Sequence, residues 1–537
     1  MRTTAQLLEG TLMPRTAQTG HENRWKIFAI LIFGVSLIVL DTTIVAVSLP
    51  TIIRSLSLNL TEAQWVSSLY SVVFAALLLI MGTLGDKFGR TRIFRVGLIV
   101  FAVASALAAL SASAGLLIFA RGLQGVGGAM ILPATLATIN ATFRDKERAT
   151  AFGIWGAVMA SMAAIGPLLG GWLTQTFSWH WIFIINIPIV AGLLLAGIKV
   201  FRGFEDRGEV AGFDIPGTLL SAISLGFLVY GLIEATTFGW WTPKGETSIF
   251  GLSPTPFYIA VGILFAIAFL VLEGSRLRNG RPVLLDLKLF RIPSFSNGNV
   301  TALTVALGEF SALFVLPLYL ISVLGLGTIQ AGWVLATMSL GSFVSGAAAR
   351  HVAAKFGPAR TVIIGLVLEI AGILVAGLLI GPEASAWLLA VVLAVYGTGV
   401  GFASAQLASV VLAEVPVASS GMGSATQSTA RQLGSALGVA VAGTVLATSL
   451  TSQLPDALAT AHVPDAAIDG LTSATADSAG SAIPALTERF GPGIGGVLSN
   501  AFADATSMVL YFSAGVLVIG LLSAFRLSIQ KKATADV

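Results

Sequence analysis

Apolar runs of about 20 residues, the length that an α-helix needs to cross a bilayer, recur along almost the whole chain. The polar stretches between them are mostly short. Of the 537 residues, 55% are hydrophobic and only 10% are charged, and the mean hydropathy is +0.90. A soluble protein of this size would not tolerate so much apolar surface, so the sequence predicts an all-α integral membrane protein.

A hydropathy window of about 19 residues predicts fourteen membrane helices, with ends uncertain by about 2 to 4 residues. The first run is too long for a signal-peptide core and has no small-residue cleavage site behind it, so it is expected to remain as the first helix. The predicted spans are 27–49, 62–84, 94–112, 114–140, 148–173, 179–199, 214–235, 256–274, 295–322, 328–349, 361–380, 386–412, 419–448 and 505–526.

The basic residues assign the two sides of the membrane. Twenty-five lysines and arginines lie on the side of the N-terminus, whereas only Arg54, Lys244 and Arg489 lie on the other. Cytoplasmic loops carry such an excess, so both termini are expected to be cytoplasmic and the protein to be a multi-pass protein of the cell membrane. The net charge of +4 is explained by this asymmetry, and no nucleic-acid partner is expected.

An internal repeat divides the chain. Between the second and third predicted helices it reads GTLGDKFGRTR (82–92), and between the tenth and eleventh it reads AAKFGPAR (353–360). Lys, Phe, Gly and the last Arg recur at a constant offset of 268 residues. A chance match is the alternative, but both copies follow the second helix of a six-helix block. Two related bundles around a central site near the midplane are typical of transporters that work by rocking.

The predicted organisation is two six-helix bundles with two inserted helices. It comprises a cytoplasmic tail (1–26), an N-terminal bundle (27–200), an inserted pair (201–280), a C-terminal bundle (281–527) and a second cytoplasmic tail (528–537). The C-terminal bundle carries one long external loop, 450–504, rich in Ala, Ser and Gly. A mobile cap with short interfacial helices is the first interpretation, and a substrate-binding role is the alternative.

The loop GTLGDKFGRTR (82–92) resembles the signature loop of the major facilitator superfamily, and this resemblance implies the major facilitator fold. Its glycine permits a sharp turn, and its carboxylate lies at a helix end where it can meet arginines. The second repeat has Ala354 and Pro358 in place of the acidic residue and the first arginine, so an ion-pair latch is expected only on the N-terminal bundle. The positions that carry the resemblance are Gly82, Asp86, Gly89, Arg90 and Arg92.

A second stretch, IGPLLGGWL in the fifth predicted helix, is similar to the glycine-proline motif of the antiporter branch. Glycines let helices approach closely, and a proline bends the helix. Its motif residues are Gly166, Pro167, Gly170 and Gly171. Together with RGLQGVGGAMILP, LDTTIVAVSLP and the fourteen helices, it makes the whole chain resemble the fourteen-helix drug:proton antiporters. That resemblance implies multidrug efflux, antibiotic resistance and proton coupling.

Asp41 in LDTTIVAVSLP and Arg121 in the fourth helix are two opposite charges at matching depth, each about 10 to 12 Å below the outer boundary. A charge inside a membrane helix costs several kcal/mol unless it is paired or hydrated, so the two are expected to face each other or a shared cavity. As the resemblance also implies, Asp41 is predicted to carry the coupled proton and Arg121 to regulate it. A static structural ion pair is the alternative.

The second bundle contains Glu309 in its first helix. It is predicted to be a cavity carboxylate that meets a cationic substrate or a second proton, and a silent partner of Arg431 is the rival interpretation. Five further side chains are candidates for the cavity because they are polar or aromatic within membrane helices: Gln124, Trp155, Phe310, Glu369 and Arg431.

The leading hypothesis is a proton-coupled antiporter that exports hydrophobic or amphipathic compounds by alternating access. The alternative is a dedicated exporter of one cargo, such as a self-made antibiotic, a lipid or an amino acid, and a non-transporting sensor is less favoured. The partners expected are a hydrophobic or cationic small molecule, protons and lipid, in a monomer. With no cysteine, no metal-ligand spacing among four histidines and no phosphate-binding glycine loop, we expect no enzyme, no catalytic residue, no metal and no cofactor.

Overall fold

The computed structural model describes residues 16–533 except 144, 202–211, 213, 245–246 and 417–418. Within these residues, fourteen helical segments are long and apolar enough to cross a membrane, which confirms the predicted number. The predicted N-terminal tail up to residue 15 and the last four residues of the chain lie outside the described residues.

Seven helices build the N-terminal bundle. They are α1 (Thr16–Leu56), α2 (Leu60–Phe88), α3 (Arg90–Ala109), α4 (Ala114–Thr142), α5 (Asp145–Thr176), α6 (Trp181–Ile184) and α7 (Asn186–Val200). The last two form a single span, interrupted at Ile185. Pro188 has no N–H to donate to the carbonyl of Ile184, which accounts for the interruption.

The inserted pair consists of α8 (Ile215–Phe238) and α9 (Thr255–Arg278), followed by a 3-10 helix at Leu287–Arg291. The C-terminal bundle is built from α10 (Pro293–Ser322), α11 (Thr328–Phe356), α12 (Pro358–Leu379), α13 (Ala386–Leu412), α14 (Ser420–Thr460), α15 (Asp465–Asp477), α16 (Ile483–Phe490) and α17 (Pro492–Ala533). Its six spans are α10 to α14 and α17.

The two bundles pack in the same pattern. In each, the first span packs against the fifth, the second against the fourth, and the third against the fourth and the sixth. Between bundles the second span of each packs against the fifth of the other, so that α2 contacts α14 and α5 contacts α11, while α1 contacts α10. The inserted helix α8 lies against both α2 and α14. This reciprocal packing is what two sequence repeats related by a two-fold axis would produce.

The repeated KFG stretch forms the same turn in both bundles. Gly89 separates α2 from α3 with a φ of 100°, and Gly357 separates α11 from α12 with a φ of 85°. Only glycine adopts such angles without strain, and this explains why the repeat keeps the glycine while Asp86 and Arg90 are replaced by Ala354 and Pro358. The lysine before each turn lies over the adjacent phenylalanine ring at 5.5 Å in the first copy and 5.4 Å in the second.

The segment 450–504 departs from its predicted bounds. The helices on either side run further than hydropathy predicts, because α14 continues to Thr460 and α17 begins at Pro492. Only α15 and α16 between them are short helices. Leu458, Leu471 and Phe502 are buried and belong to the hydrophobic core of the molecule. The predicted ends at 448 and 505 were wrong because frequent Ser, Thr and Gln lower the mean hydropathy of helices that are nevertheless continuous.

Candidate functional site

Asp41 and Arg121 form an ion pair in the middle of the N-terminal bundle. An Nη1–H of Arg121 in α4 donates directly to the Oδ2 of Asp41 in α1, and both residues are 1% exposed. The prediction from depth alone that these charges face each other is therefore matched by the geometry. Two charges so deeply buried are tolerated only when each satisfies the other and their remaining polar atoms find partners.

Gln124 and Asn186 supply partners to the pair, and Ser105 in turn binds their amide groups. Gln124 donates to Oδ1 of Asp41 at 2.9 Å and accepts from Nη1 of Arg121 at 2.7 Å. Asn186, at the start of α7, donates to the same Oδ1 at 3.2 Å. Ser105 of α3 accepts from both amide groups, at 3.0 Å from Gln124 and 3.2 Å from Asn186. The carboxylate thus accepts hydrogen bonds at both oxygens from a network that spans four helices.

The guanidinium of Arg121 is also held from α2. Its Nε–H donates to the carbonyl oxygen of Val66 at 3.1 Å, and its Cζ lies 4.7 Å from the ring centroid of Tyr70. An arginine above an aromatic face gains a cation–π attraction that is larger where water is excluded. Arg121 therefore keeps favourable contacts that do not depend on the charge of Asp41.

A small cavity of about 30 Å³ lies beside Arg121, between the two bundles. It is lined from α1 by Thr42 and Val45 and from α10 by Phe310 and Phe314. Its volume is about that of one water molecule in the liquid, so the space beside the arginine is too small for a drug-sized molecule in this conformation. Phe310 therefore occupies the central position that the sequence predicts for it.

The second charged pair lies in the C-terminal bundle. Nη2 of Arg431 in α14 donates to Oε2 of Glu309 in α10 at 3.0 Å, and Nη1 lies 3.4 Å from Oγ of Ser404 in α13. The arginine side chain is 45% exposed and the glutamate side chain 15%. A charge on a membrane helix that is this exposed must face water rather than lipid. Since α10 contacts α1 and α14 contacts α2, we infer that the pair faces water in a cleft between the bundles.

Three of the predicted cavity residues lie elsewhere. Gln124 is fully buried in the Asp41 network and does not line a cavity. Trp155 packs with Phe28 and Phe143 in a separate cluster of the N-terminal bundle, away from Phe310. Glu369 is 0% exposed inside the C-terminal bundle, so it is neither a lipid-facing nor a cavity-lining residue. Composition could not distinguish these positions, because the three residue types occur equally in cores and in cavities.

The signature loop is held within the N-terminal bundle by an ion pair and a hydrogen bond of Arg90. Nε of Arg90 lies 2.8 Å from Oδ1 of Asp86, and Nη1 of Arg90 donates to the carbonyl oxygen of Ala137 in α4 at 3.0 Å. Gly82 lies next to Pro133 of α4, where an added Cβ would make an ordinary contact at 3.6 Å, while Arg92 is exposed at the start of α3. The pair at Asp86 and Arg90 therefore joins the turn after α2 to the end of α4.

The glycine-proline motif of α5 forms two close helix contacts. On one face, Gly166 and Gly170 lie against Thr43 and Ile44 of α1, where an added Cβ at Gly170 would come within 2.8 Å of a backbone oxygen. On the other face, a Cβ at Gly171 would lie 2.6 Å from the carbonyl oxygen of Thr328 in α11. The motif thus closes the interface between the bundles at the end that the basic residues assign to the outside.

Sequence reasoning missed Ser105, Asn186 and Tyr70. A serine, an asparagine and a tyrosine are common in membrane helices. Only Asn186 carried a signal, as the single amide in the otherwise apolar run WIFIINIPIV (181–190). Nothing in the sequence relates α7 to α1. Their proximity depends on the packing of the bundle.

Comparisons with known proteins agree with this architecture. Residues 31–439 match the family model of the Major Facilitator Superfamily. The multidrug efflux pump LfrA of Mycolicibacterium smegmatis is 32% identical, over 88% of this chain and 89% of its own length. The tetracenomycin C resistance and export protein of Streptomyces glaucescens is 30% identical, over 84% of this chain and 81% of its own.

A solved structure shares the fold. The inward-facing, unoccupied structure of a bacterial homologue of the human lysosomal transporter Spinster aligns with a TM-score of 0.61, at 17% identity, over 94% of this chain and 97% of its own. At that identity the likeness concerns the fold alone. The match over residues 31–439 and the efflux relatives confirm the family expected from the signature loop, and this multi-pass membrane protein belongs to the Major Facilitator Superfamily.

Proposed function

We propose that the protein exports hydrophobic or cationic small molecules from the cytoplasm by alternating access, in exchange for protons that enter from outside. The observation that carries the proposal is the buried Asp41–Arg121 pair beside the cavity between the bundles. A carboxylate sealed from water can exchange a proton only when the bundles move, and this requirement couples proton movement to conformation. The proton gradient would be the energy source, without a cofactor, in a monomer.

Arg121 supplies the means of regulation. A proton on Asp41 would cancel the charge that attracts the guanidinium, while Gln124, Val66 and Tyr70 would still hold it. Conversely, a negatively charged Asp41 is favoured by the adjacent cation. Because either state leaves Arg121 with partners, the pair can cycle between them as the outer side opens and closes.

The nature of the cargo is suggested by what the cleft contains. Phe310 and Phe314 line the cavity beside Arg121 and offer apolar surface, while Glu309, the residue before Phe310, pairs with Arg431 and offers a negative charge. This combination suits an amphipathic cation. Related exporters named for efflux of many drugs or for puromycin resistance, the latter in Streptomyces alboniger, are consistent with such a cargo.

A dedicated cargo is the second candidate. The tetracenomycin C exporter and the riboflavin transporter RibZ of Clostridioides difficile, each 30% identical to this chain, carry single compounds in their names. The same machinery would then serve one substrate. The breadth of transport distinguishes the two candidates.

The test uses purified protein in liposomes that contain a pH-sensitive dye. Under an imposed proton gradient, ethidium and a panel of neutral, cationic and natural-product compounds are added in turn. We expect substrate-dependent proton movement with several cationic compounds and none in empty liposomes. Proton movement with one compound only would favour the dedicated exporter, whereas none with any compound would overturn proton-coupled export.

The close contact at Gly171 leads to a second expected result. Gly171→Ala should lower the export rate several-fold, because a methyl group there meets backbone of α11 that cannot rotate away, so the outer side closes poorly. The matched control is Gly192→Ala in α7, where an added methyl group meets nothing within 4 Å. Export rates are compared in the same liposomes, and equal rates in the two variants would contradict the proposed role of this contact.

A further inference from the structure

Glu369 is a buried carboxyl group that the proposed mechanism does not use. It lies halfway along α12 and is 0% exposed. Neither of its carboxylate oxygens has a hydrogen-bond partner among the described residues. The adjacent helix α13 covers it closely, because a Cβ at Gly399 would lie 2.8 Å from Cγ of Glu369.

The surroundings of Glu369 contain few polar groups. Tyr396 of α13 is also fully buried, and its hydroxyl has no hydrogen-bond partner in the described part of the chain. The charged groups that act on Glu369 are Glu309 of α10 and Arg431 of α14. Within the described residues, Glu369 forms no ion pair of its own, since Arg431 is paired with Glu309.

An ionised carboxylate in this position would lack both a counter-ion and a donor. Burial of such a group inside a membrane protein costs several kcal/mol, whereas a carboxylic acid carries no net charge and loses far less. The neutral form is therefore the one that this packing accommodates. A carboxyl group that is held neutral but lies near a movable cation can release its proton when that cation approaches.

Arg431 is such a cation. Its side chain is 45% exposed, and it reaches α13 at Ser404. Ser404 is five residues from Gly399, a distance of about 7.5 Å along the helix. Arg431 thus already contacts the helix that covers Glu369, while its bond to Glu309 holds it on the cleft side.

We propose that Glu369 carries a second exchangeable proton, and that Arg431 moves from Glu309 to Glu369 when a cationic substrate binds Glu309. Before binding, the charges of the negative Glu309, the positive Arg431 and the protonated, neutral Glu369 sum to zero. After binding, the substrate cation neutralises Glu309 and Arg431 neutralises the ionised Glu369, while the proton leaves to the water of the cleft. One monovalent cation therefore replaces one proton with no net charge added to the bundle.

This inference rests on the proposed function only in that it takes the substrate to be a cation, and its test needs no transport. Tetraphenylphosphonium is added to the purified, detergent-solubilised protein in weakly buffered solution. Proton release is followed with a pH dye, and carboxylic acid groups are followed by infrared difference spectroscopy. The variants are Glu369→Gln, Glu309→Gln and Arg431→Gln, with Glu383→Gln in the exposed turn between α12 and α13 as a matched control.

In the wild type and in Glu383→Gln, we expect binding of the cation to release a proton and to remove a carboxylic acid C=O band. Glu369→Gln should fold, because glutamine reproduces the neutral side chain, and should lack both signals while keeping its unfolding temperature. In Glu309→Gln the band should be missing before the cation is added, since Arg431 is already free. In Arg431→Gln the band should persist after addition.

Two results would overturn the inference. One is a wild-type protein in which the cation changes neither the pH nor the carboxylic acid band. The other is a Glu369→Gln variant that releases as many protons as the wild type. If these signals appear as expected but no proton moves in the liposome assay, Glu369 keeps its assignment and the exporter proposal fails. If protons move in the liposome assay but these signals are missing, the proposed role of Glu369 fails and the exporter proposal stands.

Discussion

Asp41→Asn is expected to abolish accumulation of substrate against a gradient, while exchange of substrate at equal concentrations continues. Asparagine keeps the shape of the side chain but cannot take up a proton, so the bundles can rock without proton uptake beside Arg121, and substrate then returns as readily as it leaves whether or not Glu369 exchanges its proton. Gradient-driven export should fall to the level of empty liposomes. The measurement is ethidium efflux in liposomes with and without an imposed proton gradient, alongside counterflow without one.

The variant also leaves Arg121 without its counter-ion at a fully buried position. Removal of one partner of a buried pair costs about 3 to 5 kcal/mol in general, so a lower unfolding temperature is expected as well. Counterflow separates this effect from lost coupling, because an unfolded protein exchanges nothing. Glu234→Gln, at a half-buried carboxylate bonded to Trp65 at 3.0 Å, is the matched control. Gradient-driven accumulation by Asp41→Asn with normal pH dependence would refute the coupling role.

The double variant Ser71→Cys/Ser435→Cys is expected to stop export when oxidised and to recover it when reduced. The two hydroxyl oxygens, on α2 and α14, lie 3.1 Å apart across the interface between the bundles, and both side chains are buried. Cysteine is nearly isosteric with serine, so the two sulfur atoms can approach to bonding distance, about 2 Å. Because α2 and α14 must separate before the outer side can open, the disulfide should hold the protein in the closed form.

The chain contains no cysteine, so no other disulfide can form in this variant. Export is measured after treatment with a membrane-permeant oxidant and again after reduction, with the two single-cysteine variants as controls that should not respond. The disulfide is confirmed by mass spectrometry. If the oxidised double variant then exports at the wild-type rate, α2 and α14 need not separate at this level during transport.

Much of the fold follows from local physical chemistry. Apolar runs predict the fourteen spans because backbone groups in lipid can be satisfied only within helices, and the KFG repeat locates the turns at Gly89 and Gly357 because their positive φ requires glycine. The largest errors lie at 448 and 505, where helices continue beyond the lipid-like stretch. There, stability comes from packing against α15 and neighbouring helices, which a hydropathy average does not register.

The candidate site likewise has residues that the sequence predicts and residues that only the fold brings together. Asp41, Arg121 and Glu309 stand out in the sequence because a charge in an apolar helix is costly and so requires a partner. The partners of Asp41 beyond the arginine depend on the assembly of the bundle. Helix α7 brings Asn186, 145 residues away in the chain, to the carboxylate, and α3 brings Ser105, 64 residues away, to the amide groups of Asn186 and Gln124 that donate to it.

The sequence by itself determined the membrane location, the number of spans, the repeat and the depth at which the charges lie, since each depends on a local pattern or on a count of residues. Only the tertiary structure decided which charges pair, which glycines join the two bundles and that Glu369 is sealed in the interior. Those properties arise from the rotation of each helix about its axis, which is set by side-chain packing between segments far apart in the chain and leaves no local signature.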